Sequence, residues 1–332
     1  MKKFTVIILV LLLFAAVYNV SAQDMDSLIA GLGKDFSLFL DGLGDDLTPI
    51  LMQNAIAGQN IGIAELGDSV FYINIIPVIA ATAGNGLLTN RASTDYYQVI
   101  NLDSTIGSMV SVALGDDLTT LILDNLTPIP TFKLNAGIKL PLDLELLVTG
   151  FWIPDFLIPF VKDNLVPEIP AGIELSALNI GGLIRYPLLK DGEKSPGLSV
   201  GVGYFFDSFH AGLGLATLLG EDMGITLAEG SGMSIDTNVH VFGAELTISK
   251  KLLFFAPYAK LGAWYGISSF TGSAVLTDPE NPITGGKIVN DFAFIAGAGF
   301  DLLFGPFCMN FGGSYNLGNG ILGISLGSRL QF

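Results

Sequence analysis

Residues 323–332 read GISLGSRLQF, and on an extended chain they sort into two faces. Leu322, Ile324, Leu326, Leu330 and Phe332 fall on one side, while Gly323, Ser325, Gly327, Arg329 and Gln331 fall on the other. Only Ser328 interrupts the apolar side. One face is fit for hydrocarbon, and the other is small, polar or charged.

The same division recurs upstream. Residues 132–140 set Phe132, Leu134, Ala136, Ile138 and Leu140 against Lys133, Asn135, Gly137 and Lys139. Residues 291–304 and 307–316 repeat it, with Phe292, Phe294, Phe300, Met309, Phe311 and Tyr315 opposing Asp291, Gly297, Asp301, Asn310, Gly312 and Ser314. Half of the chain is hydrophobic and its mean hydropathy is +0.59, yet 14% is charged and 41 residues are glycine. Beyond residue 22 no run of 18 apolar residues occurs, so spanning helices do not explain that hydropathy. Apolar residues delivered on alternate positions suit strands with one face in lipid and one in a lumen. A soluble β-sandwich also alternates, but its outer face carries abundant charge, whereas the second face here is mostly glycine with single charges. The expected fold is an all-β transmembrane, antiparallel, up-and-down barrel.

About ten strands are predicted: 69–82, 131–141, 144–153, 175–188, 197–208, 237–249, 253–269, 287–304, 307–317 and 320–332. Their connections alternate between short turns (141–143, 190–196, 249–252 and 305–306) and long loops (83–130, 154–174, 209–236 and 270–286), with Gly318-Asn319 the one tight outer turn. Short periplasmic turns and longer outer loops are the rhythm of outer-membrane barrels. Residues 94–114 offer one more hairpin, which makes twelve strands the alternative count.

Residues 1–22 combine Lys2 and Lys3, an apolar run from Phe4 to Val17, and Val20-Ser21-Ala22, the layout of a cleaved secretory signal. Removing those two lysines from 15 basic residues leaves 13 against 31 acidic, a net charge of −18, which disfavours nucleic acid as a partner. Cys308 is the only cysteine, so no internal disulfide forms. The domain reading is a signal at 1–22, a helical segment at 23–67 and a barrel at 68–332.

The closing strand and Phe332 resemble the carboxy-terminal assembly signal of bacterial outer-membrane β-barrels, with Leu326, Leu330 and Phe332 carrying the match. That resemblance implies insertion by the barrel-assembly machinery into outer-membrane lipid. The stretches PIPTFKLNAGIKLPLDLELLVTGFWIP, IGGLIRYPLL and GLSVGVGYFF are similar to uncharacterised barrels that carry an N-terminal helical segment.

Leu28, Ile29, Leu32, Phe36, Phe39 and Leu40 recur at helical spacing, and a second short helix is expected from Leu43 to Leu51. LGDDLTTLIL at 114–123 echoes LGDDLTPIL at 43–51 and predicts a helix at the outer mouth. Acidic residues without Lys or Arg clusters favour a plug in the lumen over a helix lying on anionic lipid. The loop after the third strand is apolar: Trp152 suits an aromatic girdle, and Phe156, Leu157, Ile158, Phe160, Val161 and Leu165 make a greasy mouth. A plug beneath a greasy mouth resembles outer-membrane long-chain fatty acid transporters, which implies a hydrophobic small molecule as ligand. No residue is carried over from them.

Ten charges are expected to line the lumen: Lys133, Lys139, Glu145, Arg185, Asp207, Glu245, Lys260, Asp291, Asp301 and Arg329. Buried charges pair, so structural ion pairs across the lumen are the expectation, and a polar path for a solute is the alternative. Asp207 and His210, with Asp236 and His240, suggest a rim cluster of the kind outer-membrane proteases use to activate water, although the D-S-F-H spacing departs from their paired motif. Two histidines and one cysteine supply no transition-metal set, and no cofactor is expected. The functional expectation is a non-enzymatic barrel that binds or passes small, hydrophobic solutes. A surface adhesin or structural barrel is the alternative, and a rim protease a more remote one.

Overall fold

The alternating runs form ten antiparallel strands in the computed structural model: β1 (Phe71–Gly84), β2 (Thr127–Lys139), β3 (Glu145–Ile153), β4 (Ile173–Leu189), β5 (Gly197–Gly214), β6 (Gly232–Ser249), β7 (Phe255–Val275), β8 (Ile283–Phe304), β9 (Phe307–Asn316) and β10 (Leu322–Gln331). The structure describes residues 25–57, 62–67, 69–84, 127–153, 173–214, 231–275 and 282–332. Each strand bonds to its sequence neighbours, and β10 bonds to β1, so the sheet closes on itself. Because β1 pairs directly with β2, the ring is complete at ten strands. The hairpin considered at 94–114 lies outside the described residues.

The faces are inverted relative to a soluble protein. Leu134, Ile138, Ile180, Ile184, Val202, Leu246, Leu261, Phe294 and Ile324 are exposed on the outside. Lys133, Asn135, Glu145, Asn179, Arg185, Asp301, Asn310 and Arg329 are buried inside. Exposed apolar surface of this extent is stable only against lipid. Aromatic rings collect at two levels of the wall. Phe71 stacks on Phe332 near the short turns, with centroids 5.1 Å apart, and Phe242 packs on Tyr265 higher up, at 5.2 Å. The chain therefore has the architecture of an outer-membrane barrel.

β1 is the irregular strand. Its pairing with β10 slips between Asn74 and Ile79, next to Pro77, which has no N–H to give to the ladder. Ser328, the break in the apolar face of β10, pairs with Ile76 inside this irregularity and is buried. β5 to β8 run further at their loop ends than the alternation indicates, since β5 reaches Gly214, β6 starts at Gly232, β7 reaches Val275 and β8 starts at Ile283. Outward positions there carry Ser234, Asp236 and His210 in place of apolar residues. Above the hydrocarbon the lipid-driven pattern fades, while backbone pairing continues.

The N-terminal segment is one helix, α1 (Met25–Ile56), of 32 residues. The second helix expected from Leu43 is continuous with the first, and Gly44 lies inside it where the helix packs closely on β7. A Cβ on Gly44 would stand 3.2 Å from Phe270 Cδ2. At 1.5 Å per residue α1 spans about 48 Å, more than the ~30 Å hydrocarbon layer.

Candidate functional site: the plugged lumen

Contacts along α1 descend β7 in order. Gly272 lies against Phe36 and Leu40, Gly44 against Phe270, and Gly266 against Met52. Below the helix, Gly62 lies against Tyr258 and Ala64 N–H donates to Ser249 Oγ at 2.7 Å. β7 rises from the short turn after Ser249 to the long loop after Val275. The C-terminal end of α1 therefore stands at the periplasmic floor and its N-terminal end points to the outer mouth, given that short turns are periplasmic. Gly266 gives the Met52 side chain its place against the wall, since a Cβ there would sit 2.3 Å from Met52 Sδ.

The lumen charges hold this insert by its backbone. Lys133 Nζ donates to the carbonyls of Asn54 at 2.7 Å and Ala55 at 2.6 Å, oxygens at the end of α1 that have no partner further along the helix. Arg185 forms a buried pair with Glu145, Nε to Oε2 at 2.8 Å, and reaches the Ile63 carbonyl from Nη1 at 2.7 Å. Glu145 Oε1 in turn accepts from Leu66 N–H at 2.6 Å. Asp301 pairs with Arg329 at 2.8 Å, takes Asn310 Nδ2 at 2.5 Å, and receives the N–H groups of Gly62 and Ile63 at 3.3 and 3.4 Å. Lys139 Nζ donates to Gly67 O at 2.9 Å. Near the mouth, Lys287 pairs with Asp45 at 2.8 Å and touches Asp41 O at 3.3 Å.

Asp207 faces the lumen and accepts a hydrogen bond from Asn179 Nδ2. Glu245 and Lys260 approach to 3.6 Å. Asp291 accepts from Asn319 Nδ2 at 2.8 Å, at the tight outer turn. Glu145–Arg185 and Glu245–Lys260 pair between neighbouring wall strands, Asp301–Arg329 reaches across β9, and Lys287–Asp45 joins the wall to α1. In the floor, Lys190 bonds Asp143 at 2.8 Å and holds that carboxyl below the usual carboxylate range.

The rim cluster assembles only in part. His210 Nδ1 lies 2.6 Å from Asp236 Oδ1 and His240 Nδ1 lies 2.7 Å from the Tyr204 hydroxyl, both on the outward face, whereas Asp207 points inward. Alternation puts residues 207 and 210 on opposite sides of the wall, a parity the D-S-F-H spacing already encodes. Among the described residues no group of three metal-ligating side chains is found. Trp152 is exposed at the end of β3, while Phe156, Leu157, Ile158, Phe160, Val161 and Leu165 lie outside the described residues, as do 1–22 and the mouth helix at 114–123.

Beside the lower end of α1 a cavity of about 90 Å³ remains. One side is a wall of small inward residues from β8, β9 and β10, including Gly297, Gly312, Gly323 and Ser325, and the other is Glu245, Tyr258, Lys260 and Trp264. Gln53 of α1 closes it, with Nε2 donating to Ser314 Oγ at 3.0 Å. The sequence carried no sign of Gln53, since one polar residue on a helix has no period.

No protein-family model matches the chain, and no curated protein matches it. Among solved structures it is similar to the translocator domain of autotransporter NalP from Neisseria meningitidis, at 11% identity and TM-score 0.42, over 89% of this chain and 99% of that one. It is also similar to the transport unit of the autotransporter AIDA-I from Escherichia coli, at 11% identity and TM-score 0.36, over 86% and 99%. The attachment invasion locus protein Ail of Yersinia pestis matches at 12% identity and TM-score 0.28, over 80% and 99%.

Proposed function

We propose that this outer-membrane barrel binds small solutes in its lumen and passes them across the membrane, with α1 as the plug that must shift for passage. The observation that carries the reading is how the plug is held. Its end and the 62–67 segment are fastened by hydrogen bonds from wall side chains to backbone atoms, beside a cavity lined by α1 and the wall. Polar fastenings of about 1–3 kcal/mol each can be exchanged one at a time for solute or water. The hydrophobic-solute form of this reading rests on the mouth loop at 154–165, whereas the lumen wall is polar and supports a polar solute.

Export through a cleaved signal at 1–22 and insertion by the assembly machinery, read from Leu326, Leu330 and Phe332, belong to the same proposal. A second reading, a surface barrel without transport, is favoured by the length of β7 and β8. These have 21 and 22 residues, where 9–11 suffice to cross the hydrocarbon, so the wall stands well clear of the membrane.

Conductance and solute uptake in reconstituted bilayers, with the full chain and with residues 25–57 deleted, separate the two. Passage predicts low flux that rises when the plug is removed. Silence of both proteins, each heat-modifiable on gels, would leave the surface-barrel reading.

A further inference from the structure

We propose that the cavity between Gln53 and the small-residue wall of β8–β10 is a binding site for a small neutral polyol of about the size of glycerol. This deepens the passage reading and rests on it for the site's role, though not for binding itself. Gln53 is 1% exposed and Glu245 is 7% exposed. Gln53 Oε1 and Glu245 Oε1 are both buried acceptors without a hydrogen-bond partner. Buried acceptors are costly unless a donor meets them, so an occupant that brings O–H or N–H groups is favoured.

Charge selects between those donors. Glu245 is opposed by the Lys260 ammonium at 3.6 Å, close enough to offset its charge and too far for a hydrogen bond, while Lys260 Nζ stands 5.8 Å from the centre of the Tyr258 ring. An amine in the cavity would meet that ammonium, and an anion would meet the carboxylate. Hydroxyls suit both, because one group donates to Gln53 or Glu245 and another accepts from Lys260. Trp264, Ile56 and Ile295 supply an apolar flank for C–H groups. At 10–15 Å³ per water, 90 Å³ holds about six to nine waters, room enough for a molecule as small as glycerol.

The chain has two tryptophans, Trp152 on the outer wall and Trp264 in the cavity, so Trp152→Phe leaves Trp264 as a single reporter. Titration of that protein in detergent with glycerol, erythritol and propylamine tests the site. The expected result is a saturable change in Trp264 emission with the two polyols, and a half-saturation raised about tenfold by Gln53→Met, which removes the acceptor at nearly constant volume. Glu245→Gln gives an independent check: it leaves the Lys260 ammonium unopposed and is expected to weaken polyols while excluding propylamine more strongly. No saturable change would mean that the cavity holds water only, and a stronger response to propylamine would mean that the ligand class is wrong; either overturns the proposal. Saturable binding in a protein whose bilayers stay silent would sink the passage reading and leave the site standing.

Discussion

The ammonium of Lys133 sits 2.6 Å from the carbonyl oxygen of Ala55, so a wall strand caps the C-terminal end of the helix inside it. The charge of one and the exposed dipole of the other remove each other's desolvation cost. Lys133→Met leaves the end carbonyls of α1 without their donor and is expected to cost about 2–3 kcal/mol of plug docking. The barrel should stay heat-modifiable, while planar-bilayer recordings show openings that the parent lacks.

Glu145 and Arg185 are opposite each other on β3 and β4 and are both buried. Arg185→Met strands a carboxylate and frees the Ile63 carbonyl, at about 3–5 kcal/mol. Adding Glu145→Leu removes the stranded charge and should recover more than half of that. Urea midpoints of the two variants measure it, and equal loss in both would show that the pair's charge is not the cause.

Phe332 joins the barrel's last strand to its first through its ring on Phe71 and through backbone bonds, with its N–H donating to Phe71 O at 2.8 Å. Phe332→Ala should slow barrel closure more than it lowers the stability of protein already inserted. Pulse-chase of heat-modifiable protein reads the first and urea unfolding the second.

Lys34, exposed near the N-terminal end of α1, lies toward the outer mouth. Lys34→Cys should therefore react with a membrane-impermeant maleimide added to intact cells. The natural thiol at Cys308 is buried and should stay silent. Labelling only after the outer membrane is opened would reverse the direction of the helix.

Side-chain alternation, glycine on the inner parity and the short-turn, long-loop rhythm were enough to derive the barrel, a count of about ten strands with twelve as the alternative, and the lumen positions of Lys133, Glu145, Arg185, Asp301 and Arg329. Those are local properties, set by period-two geometry against lipid. The continuous helix, its heading and the partner of each charge were not legible. Nothing in the spacing of Lys133 from Ala55, or of Asp301 from Gly62, says that they meet. Such contacts depend on how far a closed ring's interior exceeds the volume of its own side chains, and on which insert fills the difference. GISLGSRLQF contains, in Arg329, one half of a floor clamp whose other half lies on β8, with Asp301, and whose grip is on the backbone of the plug. The sequence alone determined which side of the wall each residue faces. Only the tertiary structure decided what each inward residue holds, because side-chain direction is a property of the strand and side-chain partnership a property of the enclosed volume.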